Sequence, residues 1–407
     1  MTGFIDVALN GRYLPSSATV ATAAKVIALR QAGVHVVSFA LGAPDQETPL
    51  HIREAASRAI LAGAGTSHYT EIPGKLALRR VIAETIVRDH GIECDAQQVV
   101  VGLGAKQVIF NAFEVLLRPG DEVVIPSPYW TSYPDIVQIA GGKPVIVETT
   151  SEQGFVPDPA AIERACTDRT RAIVICSPHN PTGAVYPRDV LRAIGELAAR
   201  RKVLVLCDVI YRALSFGPDG ADAARIVAET GAPILVIDGV SKAYCMTGWR
   251  IGWGAGPVEL IRAIATLQGQ STANATAASQ EATLAALRGP QDCVAELRRE
   301  FAARREVMLA LLVKLPRVSL PVLPSGGFYA LPDFRAWLGA KTRTGETLAT
   351  DADLVRYLLE EVAVAVNPGT PFGAPGFLRF TYATTIPEIE EGMRRLERAL
   401  ALLTPAP

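Results

Sequence analysis

A lysine, a hydroxyl group and an arginine come close together in the segment Asp238–Arg250, which follows the apolar run Ile234–Ile237. Lys242 could form an imine with a carbonyl compound. Ser241 and Arg250 could bind a phosphate, because the planar arginine fork matches two phosphate oxygens. The alternative is a surface loop with solvated charges, and these residues alone do not decide between the two.

Two further polar groups follow other apolar runs. Asp208 comes directly after Val203–Cys207, and its spacing to Tyr211 would let both side chains reach one planar ligand. An aspartate at a strand end is also a common helix cap, so this signal is weak by itself. Asn180 lies in the turn Ser177–Gly183, which contains two prolines and a glycine. It offers both a donor and an acceptor to a ligand, although the turn could be purely structural.

The segment Gly102–Lys106 follows the apolar run Val99–Val101 and opens a predicted helix. Exposed N–H groups at a helix N-terminus bind phosphate. A lysine in the first turn opposes the helix dipole, so we expect Lys106 to face an anion, with a solvated lysine as the alternative. Gln107 leaves the pattern Gly-x-Gly-x-x-Gly incomplete, which disfavours a nicotinamide dehydrogenase.

Arg379 lies inside a predicted strand, Leu378–Tyr382. Alternation along a strand places Leu378, Phe380 and Tyr382 on one face and Arg379 on the other. An arginine in this position favours a specific anion as its partner over mere solubility.

Seven short apolar runs between residues 97 and 256 must position these groups. Most lack polar alternation, which predicts strands buried on both faces and a mostly parallel sheet flanked by helices. Ligands of such α/β sheets bind beyond the carboxyl ends of the strands, so we expect the polar segments to converge there. The runs are Val99–Val101, Glu122–Ile125, Pro144–Val147, Ala172–Cys176, Val203–Cys207, Ile234–Ile237 and Arg250–Trp253.

The pattern changes after about residue 290. A long amphipathic helix over Glu296–Leu315, short strands near residues 327–331 and 377–382, and a last helix over Pro387–Leu403 predict a smaller α+β domain. A helix over Thr19–Gln31 could dock onto either part. A chain of 407 residues suits two domains, and we expect a large one over 48–290 and a small one formed by 1–47 and 291–407.

Composition excludes several classes. The formal net charge is −1, so neither nucleic acid nor an anionic membrane is an expected partner. No apolar stretch of about 20 residues predicts a membrane span, and the N-terminus lacks the pattern of a secretory signal, so we expect a cytoplasmic location. The six cysteines form no Cys-x-x-Cys pair and the five histidines lack zinc-site spacing, which predicts neither a disulfide framework nor a metal.

Taken in chain order, these segments resemble the class I aminotransferases of fold type I among pyridoxal-phosphate (PLP) enzymes. Any one piece is weak, but the ordered set is specific and extends from about residue 15 to the last helix. The residues that carry the resemblance are Gly42–Asp45, Tyr69 with Pro73–Gly74, Gly104–Lys106, Pro128–Trp130, Asn180–Gly183, Asp208 with Tyr211, Ser241–Lys242, Gly248–Arg250 and Arg379.

The resemblance implies PLP as cofactor and a role for each matching residue. Lys242 would hold PLP as an imine and shuttle a proton, and Asp208 would pair with the pyridine nitrogen. Tyr211 and Asn180 would hydrogen-bond the ring hydroxyl oxygen, and Trp130 would stack on the ring. The residues implied to hold the phosphate are Gly104, Ala105, Lys106, Ser241 and Arg250, with Tyr69 reaching it from the second subunit of a homodimer.

The resemblance also implies the substrates. Arg379 would bind the substrate α-carboxylate, helped by Asn180, Trp130 and the backbone of Gly42. The Gly-Ala-Lys-Gln form of residues 104–107, with Ser16–Thr19, is similar to the bacterial aspartate aminotransferase subgroup. Lys106 would then bind the distal carboxylate of aspartate or glutamate with Ser17 or Thr19, and 2-oxoglutarate would be an acceptor.

Alternatives remain on the same fold: an aminotransferase for aromatic, prephenate or other donors, and a PLP-dependent β-lyase. A PLP-sensing transcription regulator would need a helix-turn-helix domain and a basic face, for which the chain offers no segment. The chain departs from the common pattern at Ala43, Gln46, Val209 and Asp238, where many relatives carry other polar or aromatic residues. None of these departures removes a group that the reaction needs.

Overall fold

The computed structural model describes residues 18–63, 65–217 and 222–406. Its strands are β1 Val37–Ser38, β2 Val99–Gly102, β3 Glu122–Pro126, β4 Lys143–Val147, β5 Thr170–Cys176, β6 Leu204–Asp208, β7 Ile234–Gly239, β8 Gly252–Ala255, β9 Tyr329–Ala330, β10 Val364–Ala365, β11 Asn367–Pro368 and β12 Leu378–Thr381.

The helices alternate with these strands over much of the chain. They are α1 Ala18–Gln31, α2 Leu50–Leu61, α3 Leu76–His90, α4 Ala105–Leu116, α5 Ser132–Ile139, α6 Pro159–Ala165, α7 Arg188–Arg201, α8 Ala223–Ala228, α9 Val258–Ser271, α10 Ala277–Arg288, α11 Asp292–Leu312, α12 Asp351–Val362 and α13 Ile386–Ala401. Within the described ranges, none of these helices combines the length and the apolar character needed to cross a membrane.

The largest sheet within the described residues has seven strands in the order β2-β8-β7-β6-β5-β3-β4. Strand β8 is antiparallel to both neighbours, and the other pairs are parallel. Successive residues of its strands enter different hydrophobic clusters, with Ile173 on one face and Ala172 and Val174 on the other. The prediction of a mostly parallel seven-stranded sheet, buried on both faces, is confirmed.

Strand β8, the last strand of this sheet along the chain, begins at a later residue than the sequence predicted. Arg250 follows a helical turn over Thr247–Trp249 and has a φ of 57°, so its backbone is left-handed rather than extended. Strand β8 can therefore begin only after it, at Gly252. Arg250 lies in the loop that leads from β7 into β8.

Two smaller sheets within the described residues are formed by β1 and by the strands that follow residue 290. Strands β11, β12 and β9 form an antiparallel sheet, and β1 pairs with β10 in parallel. Phe301 of α11, Phe380 of β12 and Phe328, which directly precedes β9, are part of one buried aromatic cluster. Val26 of α1 packs with Ala365 of β10 in another cluster. The division into domains 48–290 and 1–47 with 291–407 stays a prediction.

The topology brings the polar segments to one edge. Strands β2, β5, β6 and β7 run in the same direction, because β8 is antiparallel to both β2 and β7. The segments that follow these four strands therefore emerge at the same end of the sheet. Residues from β9, β12 and the segment 40–42 lie across from them.

A glycine of α13 sets how closely that helix approaches β1. A Cβ atom at Gly392 would lie 2.3 Å from the Phe39 ring, whereas one at Gly269 of α9 would meet nothing closer than 3.7 Å. We expect Gly392→Ala to lower the free energy of unfolding by about 1–3 kcal/mol through overpacking. Gly269→Ala, the matched control, should raise it by about 0.5–1 kcal/mol. Urea unfolding measures both, and equal effects would contradict this packing.

Candidate active site

A cavity of about 700 Å³ lies where the strand ends meet the smaller sheets. Most of the residues singled out from the sequence line it, although they come from distant parts of the chain. They are Gly42, Gly104, Ala105, Lys106, Trp130, Asn180, Asp208, Tyr211, Ser241, Lys242, Arg250 and Arg379.

Lys242 follows β7 and extends its amine into this cavity. The amine donates a hydrogen bond of 2.6 Å to the carbonyl oxygen of Gly42. Burial lowers the pKa of Lys242 to about 8, and the nearby guanidinium groups of Arg379 and Arg250 act in the same direction. An appreciable fraction of this amine is therefore neutral near pH 8, the form in which an amine can attack a carbonyl or accept a proton.

Asp208 is the last residue of β6 and is 4% exposed. One carboxylate oxygen accepts a hydrogen bond of 2.7 Å from the Tyr133 hydroxyl, and the other accepts one of 3.2 Å from the Ile210 N–H. Burial raises the pKa of Asp208, while these two hydrogen bonds oppose that rise. Within the described residues, the Asp208 carboxylate forms no ion pair, so it could receive a cation from a ligand.

Sequence analysis missed Tyr133. Its hydroxyl is the side-chain partner of Asp208, and its ring meets that of Trp130 edge to face, with centroids 5.2 Å apart. Tyr133 lies in the first turn of α5, where packing in the core is the ordinary explanation of an aromatic residue. The spacing of three residues from Trp130 was the available signal, because residues at that spacing face the same side of a helical turn.

Arg379 projects from β12 and is 3% exposed. Its guanidinium donates to the Ala40 carbonyl at 3.0 Å and to Oδ1 of Asn180 at 3.2 Å. Its carbon lies 4.6 Å from the centroid of the Tyr329 ring and 4.7 Å from that of Phe372. In the part of the chain that the structure describes, the guanidinium forms no ion pair, and Nε has no hydrogen-bond partner. A buried cation held in this way is suited to an anionic ligand.

Asn180 joins Arg379 to Tyr211. Its Nδ2 lies 3.5 Å from the Tyr211 hydroxyl, which is itself 3.1 Å from the Tyr329 hydroxyl. All four side chains are buried. The predicted positions of Asn180, Tyr211 and Arg379 therefore converge, and Tyr329 is a second neighbour that sequence analysis missed.

The start of α4 and Arg250 form a cradle for an anion. The first N–H groups of a helix have no partner within it, and this helix begins at Ala105. A Cβ atom at Gly104 would lie 2.7 Å from Nη2 of Arg250, and one at Gly252 would lie 2.2 Å from the Ala105 nitrogen. Only glycine permits this packing. Arg250 donates to the carbonyls of Leu103 and Thr247 at 3.1 and 2.8 Å, which orients its guanidinium.

Lys106 occupies another part of the cavity wall, with its ammonium 4.9 Å from the centroid of the Trp130 ring. Burial lowers the pKa of Lys106, as does the charge of Arg250, while Asp135 opposes both. A partly desolvated cation beside an aromatic wall fits the expectation that Lys106 faces an anion.

Three predicted residues are not among those that the structure places in this cavity. Tyr69 is 91% exposed and does not line the cavity of its own chain. Ser17 falls outside the described residues, and of Thr19 only its place in α1 is described. The roles implied for these three therefore stay predictions.

Asp238, where the chain departs from the common pattern, lines a different cleft of about 500 Å³. Ile210 lines both this cleft and the cavity that contains Lys242. Burial raises the pKa of Asp238 to about 6, and one of its oxygens accepts a 2.7 Å hydrogen bond from the Gly239 N–H. The substitution thus changes the surroundings of the Lys242 loop without adding a group to the cavity.

Comparison with known proteins gives a family match over most of the chain. The family model for aminotransferase class I and II matches residues 34–396. An aspartate aminotransferase of Bacillus sp. (strain YM-2) is 41% identical, with 95% of this chain and 97% of the relative covered. An aspartate/prephenate aminotransferase of Cereibacter sphaeroides is 42% identical over 97% and 98% of the two chains.

Solved structures agree with this match. The aspartate aminotransferase of Thermus thermophilus with maleate has a TM-score of 0.87 and 40% identity, with 95% of this chain and 97% of that one covered. The aspartate aminotransferase of Rhizobium meliloti has a TM-score of 0.89 and 37% identity over 97% and 100%. The chain therefore belongs to the class I and II aminotransferases, and it is a transaminase with fold type I of the pyridoxal-phosphate enzymes.

Proposed function

We propose that the chain uses PLP to move an amino group between aspartate or glutamate and a 2-oxo acid such as 2-oxoglutarate. The observation that carries this proposal is the combination of Lys242 and Asp208 in one cavity. The first is a buried amine with a lowered pKa, and the second is a buried carboxylate without an ion-pair partner among the described residues. PLP presents an aldehyde and a ring nitrogen cation that complement these two groups.

The cavity also fits the phosphate of PLP. The N-terminus of α4 offers the N–H groups of Ala105 and Lys106, and Arg250 adds a positive charge beside Gly104. Ser241 lines the same cavity and would contribute its hydroxyl. When bound, the cofactor supplies a carbonyl for imine formation and a ring that accepts electron density from the substrate Cα.

Each chain residue then has a defined task. Asp208 would hold a proton on the pyridine nitrogen, because a buried carboxylate stabilises that cation. Tyr211 and Asn180 would hold the ring hydroxyl oxygen, and Trp130 would cover the ring. Lys242 would accept the proton from the substrate Cα at its amine nitrogen, a role for which a pKa of about 8 is well matched.

Substrate binding follows from two cations in the cavity. Arg379 would bind the α-carboxylate by a forked contact, with Asn180 and the backbone of Gly42 beside it. Lys106 would bind the distal carboxylate, with Ser17 or Thr19 contributing hydroxyl groups. The aspartate and aspartate/prephenate names of the relatives support a dicarboxylic donor, and the second keeps prephenate as a candidate substrate.

A second copy of the chain would complete the site. Tyr69 is almost fully exposed, and α2 exposes Leu50, Ile60 and Leu61 on the same chain. Large apolar side chains that are exposed in this way favour burial in an interface. We propose a homodimer in which Tyr69 of each subunit reaches the phosphate held by the other, and large and small domains divided at about residues 48 and 290.

Replacing Lys242 tests the covalent link. In Lys242→Ala, borohydride reduction of the PLP-loaded protein should trap no adduct at position 242, because no amine remains there to form the imine. Mass spectrometry of the digested protein measures this. Lys314→Ala, which removes an exposed lysine at the end of α11, should retain the adduct. An adduct that persists at the same peptide in Lys242→Ala would contradict the assignment.

Replacing Lys106 tests the dicarboxylate preference. Single-turnover reactions with a panel of amino donors should bleach the visible band of the wild type fastest with aspartate and glutamate. Lys106→Met should weaken these two donors about 10- to 100-fold, the loss expected for one charge-assisted hydrogen bond, and leave alanine unchanged. A wild type that responds only to aromatic or basic donors would exclude the dicarboxylate proposal, as would equal losses for aspartate and alanine.

Replacing Asp208 separates stability from cofactor binding. Burial raises the pKa of Asp208 above its unfolded value, so the cofactor-free protein loses stability from this group as the pH rises above the ordinary carboxyl range. Cofactor-free Asp208→Asn should therefore unfold at a higher temperature than the wild type at pH 7, with a gain that shrinks toward pH 4. The same variant should bind PLP more weakly. Asp168→Asn, which removes an exposed charge, should show neither change, and a pH-independent gain at Asp208 would contradict the argument.

A further inference from the structure

Tyr329 lies where three groups of the cavity meet. It belongs to β9 and is 1% exposed. Its hydroxyl is 3.1 Å from that of Tyr211, and its ring centroid is 4.6 Å from the guanidinium carbon of Arg379. A Cβ atom at Gly42, whose carbonyl accepts from Lys242, would lie 3.0 Å from the Tyr329 oxygen.

The direction of the hydrogen bond between the two tyrosines follows from their neighbours. Oδ1 of Asn180 accepts from Arg379, so its Nδ2 faces Tyr211 as a donor. A phenol oxygen has one proton to donate and two positions at which it can accept. If Tyr211 gives its proton to the ring hydroxyl oxygen of the cofactor, its oxygen can only accept from Tyr329. Tyr329 is then the donor across the 3.1 Å contact.

We infer that Tyr329 is a positioning residue that serves both halves of the site: its hydroxyl donates to Tyr211 on the cofactor side, and its ring supports the Arg379 guanidinium on the substrate side. This inference rests on the proposed function, because it takes Tyr211 as the donor to the cofactor oxygen. It adds a residue that the proposed mechanism does not use.

The hydroxyl of Tyr329 would act by strengthening the hydrogen bond that Tyr211 donates to the ring oxygen of the cofactor. A donor that bonds to the Tyr211 oxygen polarises the Tyr211 hydroxyl and strengthens its own donation, because hydrogen bonds in a chain reinforce one another. Tyr211 would thereby better stabilise negative charge on the ring oxygen of bound PLP, and the PLP chromophore would lose its proton at a lower pH. Removal of the Tyr329 hydroxyl should have the opposite effect.

The ring of Tyr329 acts on Arg379. This guanidinium forms no ion pair within the described residues, and only Ala40 and Asn180 accept its hydrogen bonds there. The aromatic faces of Tyr329 and Phe372 lie under it and offer a favourable electrostatic contact without neutralising its charge. The cation therefore stays in place and remains available to a carboxylate.

Two variants separate the role of the Tyr329 hydroxyl from that of the Tyr329 ring. In Tyr329→Phe the ring remains and the hydroxyl is lost. The apparent pKa of the enzyme-bound PLP chromophore, measured from visible absorbance against pH, should rise by roughly half a unit to one unit, which corresponds to one ordinary hydrogen bond. The KM for the amino donor should change less than about threefold, because the contact with Arg379 is retained.

In Tyr329→Leu the ring is also lost. The chromophore pKa should rise as in Tyr329→Phe, and the KM for the donor should increase by a further factor of roughly 10 as the guanidinium loses its aromatic support. Tyr357→Phe is the matched control, because the buried Tyr357 hydroxyl donates to the Ala399 carbonyl at 2.9 Å between α12 and α13. It should leave both quantities at wild-type values.

The outcomes distinguish this inference from the proposed function. A wild type that shows no titrating PLP band overturns both. A wild type with a normal titration and a Tyr329→Phe curve that superimposes on it overturns the inference alone. A shift of equal size in Tyr357→Phe would also overturn it, because the effect would then reflect general loosening of the core.

Discussion

The cavity contains a carboxylate and a guanidinium that are both buried and yet do not pair with each other. Asp208 is held by the Tyr133 hydroxyl and the Ile210 N–H, and Arg379 by the Ala40 carbonyl and the Asn180 amide. Each charge is therefore fixed by neutral groups. Burying an uncompensated charge costs on the order of several kcal/mol, so each of these two groups favours a ligand of opposite charge. The rest of the architecture serves to keep these charges apart.

Asp208 and Arg379 are kept apart because they belong to different sheets. Asp208 ends a central strand of the seven-stranded sheet, whereas Arg379 belongs to β12 of a small antiparallel sheet. Lys242 lies between them, and its amine is bonded to the carbonyl of Gly42 rather than to the carboxylate. Burial lowers the pKa of Lys242 to about 8, and the two guanidinium groups near its amine act in the same direction. Within the described residues the amine thus forms no ion pair, and part of it is neutral near pH 8.

Much of this arrangement could be predicted from the sequence, because strand ends in a parallel sheet must converge. Apolar runs located most strands of the large sheet, and polar residues directly after them located Asp208, Asn180 and Lys242. The errors lie where a local backbone choice decides the outcome, as at Arg250, whose left-handed conformation delays β8. A left-handed backbone conformation cannot be recognised from the periodicity of hydrophobic residues.

Tyr133 and Tyr329 were missed for a different reason. Both are aromatic residues, for which packing in the core is the ordinary explanation of the residue type. Their hydroxyl groups acquire a role only through partners far along the chain, since Tyr133 bonds to Asp208 and Tyr329 lies 118 residues from Tyr211. Contacts of this kind depend on the relative placement of the sheets, which no local pattern encodes.

The packing of Gly104 and Gly252 around the start of α4 limits how the enzyme can be re-engineered. A methyl group at Gly252 would collide with the backbone of Ala105, and one at Gly104 would meet the Arg250 guanidinium. Combinatorial libraries that aim at new amino-acid specificity would lose most members if they randomised these two glycines. Diversity is better directed to the wall around Lys106 and Trp130, where side chains rather than backbone atoms define the available space.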